Sequence, residues 1–448
     1  MTMHIVLSRV ALCCVFLTGM LGLSAQPAPS QPVPESLDLA AALQFALENN
    51  FSIRQARERI KQQEGVLLEV SSRRIPNVSM GASYQRNDRD IATTFPQDDS
   101  AWNIQIQARQ AIYAGGGIDA SVSSSKLVRE AAILELQGVI NDALLTVRTR
   151  FYDVLLARES IKVREQSVAL LQEQLQNAKN RFEAGASSSF EVLRAEVALA
   201  NAQPALIQAR NAFRLAIEEL RQALGFVNIE GDNLKKVPEF VGELKAEPTS
   251  FDLKSSLEAA RTNRPELARL SKLEAAREQG VRVARSSYLP TVDAVAGYQW
   301  RKTGLSDRFR DAADGWLVGV QSQWNVFDGR ATAGRVAQAR SLLSQAQLTR
   351  GESELAIEVE VRRALSSLQE AWELAEASRK VVDQAAEALR LANVRQSAGT
   401  ATQLDVLTSQ VDLTQARNNQ LQANYNYLVA LAFLRKAIGQ SDTFTTSP

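Results

Sequence analysis

The segment Trp102–Gly117, with the sequence WNIQIQARQAIYAGGG, decides the fold. Within it, apolar and polar residues alternate as far as three consecutive glycines, and a long helical pattern follows. The same change occurs from Trp316, where the chain reads WLVGVQSQWNVFDGR. Trp102 thus returns at Trp316 and Gly115 at Gly329, and both separations are 214 residues (316 − 102 and 329 − 115). The sequence therefore predicts a structural unit that occurs twice.

Each repeated strand is predicted to have one apolar and one polar face. The apolar face carries Trp102, Ile104, Ile106, Ala108 and Ile112 in the first copy and Trp316, Val318, Val320, Trp324 and Val326 in the second. Another strand precedes each, with apolar faces formed by Val78, Met80, Ala82 and Tyr84 and by Val292, Ala294, Ala296, Tyr298 and Trp300. Such two-faced strands are typical of a barrel wall or of a half-exposed sheet.

Prolines and glycines mark the ends of these strands. Pro76 and Pro290, also 214 residues apart (290 − 76), each end a helical pattern and stand at the start of a strand. Proline has this effect because it cannot continue the hydrogen bonding of a helix. Gly115 and Gly329 follow the second strand of each copy and are predicted pivots from strand to helix, since glycine adopts backbone angles that other residues avoid.

Very long helices are predicted after these pivots, at about Asp119–Glu183 and Ala331–Ser397. Their apolar positions are spaced by four and three residues, which is typical of coiled coils. At about 1.5 Å per residue, each helix would be roughly 100 Å long. Hairpin turns follow at Ala184–Ser189 and Ala398–Thr402, and the returning helices are expected to end at Gly225 and Gly439.

The start of the chain is typical of a secretory signal. Arg9 precedes an apolar core at Val10–Leu23, and Ser24 and Ala25 offer a cleavage site of small residues. The predicted organisation is a signal peptide at 1–25, a proline-rich extension at 26–36, a first repeat at 37–225, a linker at 226–250, a second repeat at 251–439 and a loose tail at 440–448.

Removal of the signal would also remove His4, Cys13 and Cys14, which are the whole histidine and cysteine content of the chain. This excludes Ser-His-Asp and Cys-His catalysis, zinc on Cys or His ligands, and disulfides. Loss of Arg9 would leave 51 − 1 = 50 basic residues against 50 acidic ones, so no basic excess indicates nucleic acid. We therefore expect no enzyme, no catalytic residue, no cofactor and no metal site.

Three sets of residues resemble a known family. They are the sequence NVFDGR at Asn325–Arg330, the proline-led strands, and the hairpin sequences RFEAGASSSFEVLRAEVALA (Arg181–Ala200) and RQSAGTATQLDVLTSQVDLTQA (Arg395–Ala416). Together with the duplicated order of elements, they resemble the TolC-like outer-membrane efflux family. The resemblance covers almost the whole chain after the signal.

The resemblance implies a mainly α protein with membrane β structure and an internal duplication. Each chain of a homotrimer would give four strands to a shared 12-stranded β-barrel in outer-membrane lipid, continued by a long coiled-coil α-helical barrel in the periplasm. The implied function is the outer-membrane channel of a tripartite efflux or type I secretion system. It would be a passive duct opened by a periplasmic adaptor and an inner-membrane pump. The alternative is a soluble periplasmic coiled-coil adaptor or scaffold protein.

The hairpin tips carry the candidate functional residues. Ser188–Glu191 matches a capping box, and Thr402–Asp405 matches it with aspartate in place of glutamate. The resemblance places Glu191 and Asp405 at the periplasmic pore entrance, and the residues implied in docking an adaptor are Gly185, Ala186, Ser187, Gly399 and Thr400. The chain departs from well-known family members at Gln396, Ala401 and Thr408. The sequence therefore does not predict which contacts close the gate.

Overall fold

The computed structural model describes residues 35–86, 88, 100–226, 237–302 and 309–440. The predicted signal peptide, nearly all of the proline-rich extension and tail, and most of both loops between paired strands lie outside these residues. Contacts divide the chain into a small unit, Met1–Ser36 with Val227–Glu239, and a large unit, Leu37–Phe226 with Phe240–Pro448. Short strands β1 (Ser36–Leu37) and β4 (Glu239–Phe240) stand where the chain passes between the units.

All other described elements belong to the large unit, and their order is duplicated as predicted. The first copy contains α1 (Leu39–Asn49), α2 (Phe51–Ser71), a 3-10 turn (Ser72–Arg74), β2 (Asn77–Arg86), β3 (Ser100–Ala114), α3 (Gly117–Glu183) and α4 (Ser189–Leu224). The second contains α5 (Leu253–Asn263), α6 (Pro265–Ser286), β5 (Thr291–Arg301), a 3-10 turn (Phe309–Asp311), β6 (Ala313–Gln323), α7 (Ala331–Ser397) and α8 (Gln403–Ala437). Helices α3 and α7 each have 67 residues.

The sheet is antiparallel and has the strand order β2-β3-β5-β6, so the two copies join at its centre. Its register places Met80, Ile106, Tyr298 and Trp316 in one row across the four strands. The apolar positions within this register therefore share one face, as the alternation predicted. The prediction is wrong for Trp324 and Val326, which lie beyond the end of β6 at Gln323, and for Ile112, where a bulge between Ala111 and Tyr113 shifts the register. Met80 is 71% and Trp316 78% exposed, so nothing in the described part of the chain covers this face on the outer strands.

Each copy has a hydrophobic core, in which the long helical hairpin packs against the short helices of the same copy. In the first, α1, α3 and α4 pack around Phe151 and Leu220. In the second, α5, α7 and α8 pack around Val361 and Leu434. Helix α3 also packs against α6 and α8, so that it connects the copies.

In the first copy, α4 ends tightly against the break between α1 and α2. Gly225 follows α4 with φ of 75°, and a Cβ added there would lie 2.4 Å from the backbone oxygen of Asn49. The buried Asn50 side chain accepts hydrogen bonds from the start of α2, and its Nδ2 donates to the oxygen of Ala223 at 2.7 Å. We call this contact, between the end of a returning helix and the break between the two short helices, the joint. In the first copy a glycine and a polar side chain stabilise it.

The second copy builds the same joint with an ion pair. Gly439 has φ of 69°, and an added Cβ would lie 2.9 Å from the Cβ of Asn263. Arg264 takes the place of Asn50 and is only 6% exposed. Its guanidinium binds Glu266 on α6 at 3.2 Å and also Glu360 on α7. The arginine thereby connects the short helices to the long hairpin.

Several predicted boundaries shift by one or two residues. Helix α3 begins at Gly117 rather than near Asp119, because Gly116, at φ of 77°, caps it without a side chain. The returning helices end at Leu224 and Ala437, one and two residues before the glycines expected to terminate them. These glycines have positive φ and reverse the chain direction after the helix, as expected of such residues.

Candidate functional site

Both hairpin tips use the same backbone conformation. Gly185 and Gly399 have φ of 72° and 75°, and their N–H groups donate to the oxygens of Phe182 and Gln396 at 2.9 and 3.0 Å. The next residue of each tip, Ala186 or Thr400, donates its N–H five residues back, at 2.7 and 2.8 Å. This pattern satisfies the last carbonyls of the long helices. Each turn is closed by backbone hydrogen bonds of its own tip.

The two acidic tip residues lie in different settings. Asp405 forms a capping box: its Oδ2 accepts from the N–H and the hydroxyl of Thr402, both at 2.8 Å, and its N–H donates to Thr402 Oγ1. The capping box predicted at Ser188–Glu191 is wrong, because Ser188 makes no side-chain cap hydrogen bond. An exposed serine hydroxyl can hydrogen-bond equally well to water, so the sequence match did not fix this contact.

Asp405 remains charged despite its role as a cap. Hydrogen bonds from the Thr402 backbone and then from its hydroxyl hold the pKa of Asp405 below its ordinary value. The residue is fully exposed at the start of α8, where the helix dipole also favours negative charge. Capping and a role at a pore entrance are therefore compatible for this carboxylate.

The cap can be tested by substitution at the two equivalent positions. Thr402→Ala removes the hydroxyl that caps α8, and we expect it to weaken the first turn by about 1 kcal/mol. Ser188→Ala is the matched control and should change nothing, because Ser188 makes no such bond. Amide hydrogen exchange of the first turns of α8 and α4 measures both effects. If the two substitutions changed the exchange rate of their own helix by the same factor, relative to the unsubstituted protein, this account would be contradicted.

Gln403 is a tip residue that the sequence did not single out. It is 5% exposed, and neither its amide nitrogen nor its amide oxygen has a hydrogen-bond partner among the described residues. The Oγ of Ser187, in the other tip, is also buried without a partner in that part of the chain. No local pattern signals this burial, because a glutamine in the first turn of a helix ordinarily lies in solvent.

The two hairpins meet through polar contacts between α3 and α8. Toward the tips these contacts are long: Gln410 Nε2 donates to Ser167 O at 3.4 Å, and Thr414 Oγ1 lies 3.3 Å from Ser167 Oγ. Farther from the tips, Tyr425 donates to Asp153 at 2.6 Å. The hairpins are therefore joined more firmly at the end distant from the tips.

The three departures from the family pattern offer no side-chain tie between the hairpins. Gln396 and Ala401 contribute backbone hydrogen bonds to the turn, and Thr408 is exposed on α8. Among the described residues, the side-chain contacts between α8 and α3 lie farther from the tips. Besides those of Ser167 and Asp153, they include Arg417 donating to Gln166 at 3.0 Å and Lys436 paired with Asp142 at 2.5 Å.

The strand-to-helix turns differ between the copies. Gly115 has φ of 59°, and an added Cβ would lie 2.7 Å from the backbone oxygen of Ser286 in the other copy. Gly329 has φ of 64° but faces open space. In the second copy, Asp328 caps α7 by accepting from Thr332 N at 2.7 Å. This contact explains why an aspartate precedes the glycine in NVFDGR.

Pro76 and Pro290 immediately precede β2 and β5. No group of three or more His, Cys, Asp or Glu side chains that could hold a metal ion occurs in the described parts of the chain. Among the same residues, no helix has both the length and the apolar character needed to cross a bilayer.

Comparison with known proteins identifies the family. The family described as "Outer membrane efflux protein" matches residues 42–226 and 256–440, one match for each copy. Protein CyaE of Bordetella pertussis is 25% identical over 405 residues, which is 89% of this chain and 84% of that protein. Cobalt-zinc-cadmium resistance protein CzcC of Cupriavidus metallidurans is 28% identical over 402 residues, or 88% of each chain.

The fold also matches a solved structure, that of the Campylobacter jejuni CmeC outer membrane channel. The TM-score is 0.78 at 16% identity, over 94% of this chain and 92% of that one. The predicted TolC-like family, outer-membrane location and periplasmic helical extension are confirmed, and the alternative of a soluble scaffold finds no support. The chain belongs to the outer membrane efflux protein family and is a transport channel, not an enzyme.

Proposed function

We propose that the chain forms a passive homotrimeric duct from the periplasm to the exterior, recruited and opened by a periplasmic adaptor and an inner-membrane pump. The observation that carries this is the four-stranded sheet with one exposed apolar face. Four strands cannot close a barrel, and unpaired strand edges are not tolerated in lipid. Sharing one barrel among three chains removes every edge.

The tips are the proposed contact with the adaptor. Their glycine turns, at Gly185 and Gly399, place small residues at the ends of the hairpins, and an added Cβ at either glycine would meet nothing. The amide of Gln403, which has no hydrogen-bond partner among the described residues, is a polar group at the tip with which an adaptor could form hydrogen bonds. We place opening at the tips, because the ties between α3 and α8 are longest there.

The first test is fractionation of membranes followed by electrophoresis of the detergent extract, unheated and boiled. An outer-membrane oligomer that separates into single chains only on heating supports the duct, and native mass should give three copies. Conductance across a planar bilayer then tests transport directly. A monomer found in the periplasmic fraction would refute the proposal.

The acidic residues at the tips are proposed to favour cations at the periplasmic entrance. Three chains would place Glu191 and Asp405 at one opening, and carboxylates at a narrowing repel anions. We expect Glu191→Ala with Asp405→Ala to lower the cation-to-anion permeability ratio by about twofold or more. The reversal potential in a salt gradient measures it. Thr402→Ala, which disturbs the cap but leaves both charges, is the control; an unchanged potential in the double variant would refute this role.

A further inference from the structure

The contact between copies within the chain predicts how two separate chains meet. Strands β3 and β5 pair with Ala108 opposite Ala296. The copies are offset by 214 residues, so the counterpart of this pair is Ser322 on β6 and Ala82 on β2 (108 + 214 and 296 − 214). Strands β2 and β6 are the two outer strands of the sheet. Their free edges cannot meet within one chain.

We propose that β6 of one chain pairs antiparallel with β2 of a second copy, with Ser322 directly opposite Ala82. We call this intermolecular contact the seam. The inference rests on the proposed duct and adds its residue register. In this register, even-numbered residues face even-numbered residues, as they do between β3 and β5 up to the bulge after Ala111, so Val320 comes opposite Tyr84. The exposed apolar face then continues without a step from one chain to the next.

The helices support the same partner. Inside the chain, α3 of the first copy packs against α6 of the second, where Ser124 donates to the oxygen of Ala276 at 3.1 Å. The counterparts of these helices are α7 and α2. Their apolar residues Leu348 and Leu68 are 72% and 73% exposed. The second copy of the chain that completes the sheet therefore also brings α2 against α7.

The seam differs from the contact within the chain in its charges. Ion pairs among the described residues join the copies internally: Arg109 with Asp293 at 2.6 Å, Lys272 with Glu130 at 2.7 Å, and Lys436 with Asp142 at 2.5 Å. Their counterparts across the seam are Gln323 with Ser79, Ser344 with Glu58, and Gln222 with Ala356, and none of these can form an ion pair. The internal ion pairs therefore have no equivalent at the seam, and we assign its register to the apolar pattern and the strand hydrogen bonds.

Cysteine cross-linking tests this register. Cys13 and Cys14 lie in the predicted signal peptide, so introduced cysteines are the only thiols expected in the exported protein. Within one chain the β6 residue in the row of Ala82 is Asp314, so position 322 lies three strand spacings across the sheet and eight residues along it (322 − 314) from position 82. That is about 14 Å in one direction and about 27 Å in the other, which is too far for a disulfide. Oxidised Ser322→Cys/Ala82→Cys should therefore give covalent oligomers up to a trimer on boiled, non-reducing gels.

Two matched variants calibrate the result. Ala108→Cys/Ala296→Cys has the same geometry inside the chain and should oxidise at a rate within about tenfold of the seam pair, without covalent oligomers. Ser322→Cys/Met80→Cys is displaced by two residues on the same face, about 7–8 Å from the partner position, and should cross-link at least tenfold more slowly. Faster cross-linking of the displaced pair would overturn the register.

Failure of the seam and failure of the duct give different results. If the unsubstituted protein is a conducting oligomer and Ser322→Cys/Ala82→Cys forms no covalent oligomer, the seam register is wrong while the duct stands. If the unsubstituted protein neither conducts nor leaves the monomeric state, the duct itself is wrong.

Discussion

Gly225→Ala is expected to lower the free energy of unfolding by about 2–5 kcal/mol. Its φ of 75° costs an alanine about 1–2 kcal/mol, and the new Cβ would lie 2.4 Å from the Asn49 oxygen. A backbone oxygen cannot move aside without shifting the break between α1 and α2, so overpacking adds a further 1–3 kcal/mol or so. The helical circular dichroism signal, followed in denaturant in a fixed detergent, measures this loss.

Gly185→Ala is the matched control for this effect. Gly185 has nearly the same φ, 72°, but no atom lies within 4 Å of an added Cβ. Only the backbone strain of about 1–2 kcal/mol then applies, and it falls on a tip that can unfold locally. If both variants lost the same stability, close packing of Gly225 on Asn49 would not be the cause.

Arg264→Met should cost about 3 kcal/mol, because it leaves two carboxylates without their buried partner. Arg264 is 6% exposed, whereas Glu266 and Glu360 are 34% and 40% exposed and keep part of their hydration. We therefore expect the low end of the range for broken buried pairs. Arg261→Met is the control, since its ion pair with Glu358 is long, at 3.7 Å, and the arginine is 67% exposed. That variant should lose less than about 1 kcal/mol.

The cost of Arg264→Met should also depend on pH. Burial acts to raise the pKa of Glu266, but the hydrogen bond and the charge of Arg264 outweigh it, and the pKa lies below its ordinary value. A carboxyl group whose pKa is lowered by folding stabilises the fold above its unfolded pKa, about 4.3, and this contribution is lost as pH falls through the folded value. The two proteins should therefore differ most near pH 7 and converge in acid below about pH 4. A difference that is constant with pH would contradict the ion-pair explanation.

Local chain chemistry explains what the sequence predicted well. The bounds of α7, predicted at about Ala331–Ser397, agree with the observed ones, because Gly329 lies two residues before the helix and a glycine turn follows it. The face of each strand was predicted because alternation has a period of two, and the register carries it across the four strands as far as the bulge after Ala111. The bulge itself and the end of β6 at Gln323 were not predicted.

What the sequence did not predict depends on residues far apart in the chain. Arg264 finds Glu360 across 96 positions, and Asn50 finds Ala223 across 173. No periodic pattern connects such partners, so neither joint was foreseen. The burial of Gln403 is of the same kind. The capping box at Ser188–Glu191 is the opposite case, a local contact that was predicted but does not form. A local sequence match permits a hydrogen bond without requiring it.

The difference between the two tips has a consequence for stoichiometry. Both tips have the same glycine turn, but only the second has a capping box. In a ring of three chains, a partner that recognises the turn finds six equivalent positions, whereas one that recognises the capped start of α8 finds three. The number of partner molecules bound per ring therefore reports which of the two features is recognised.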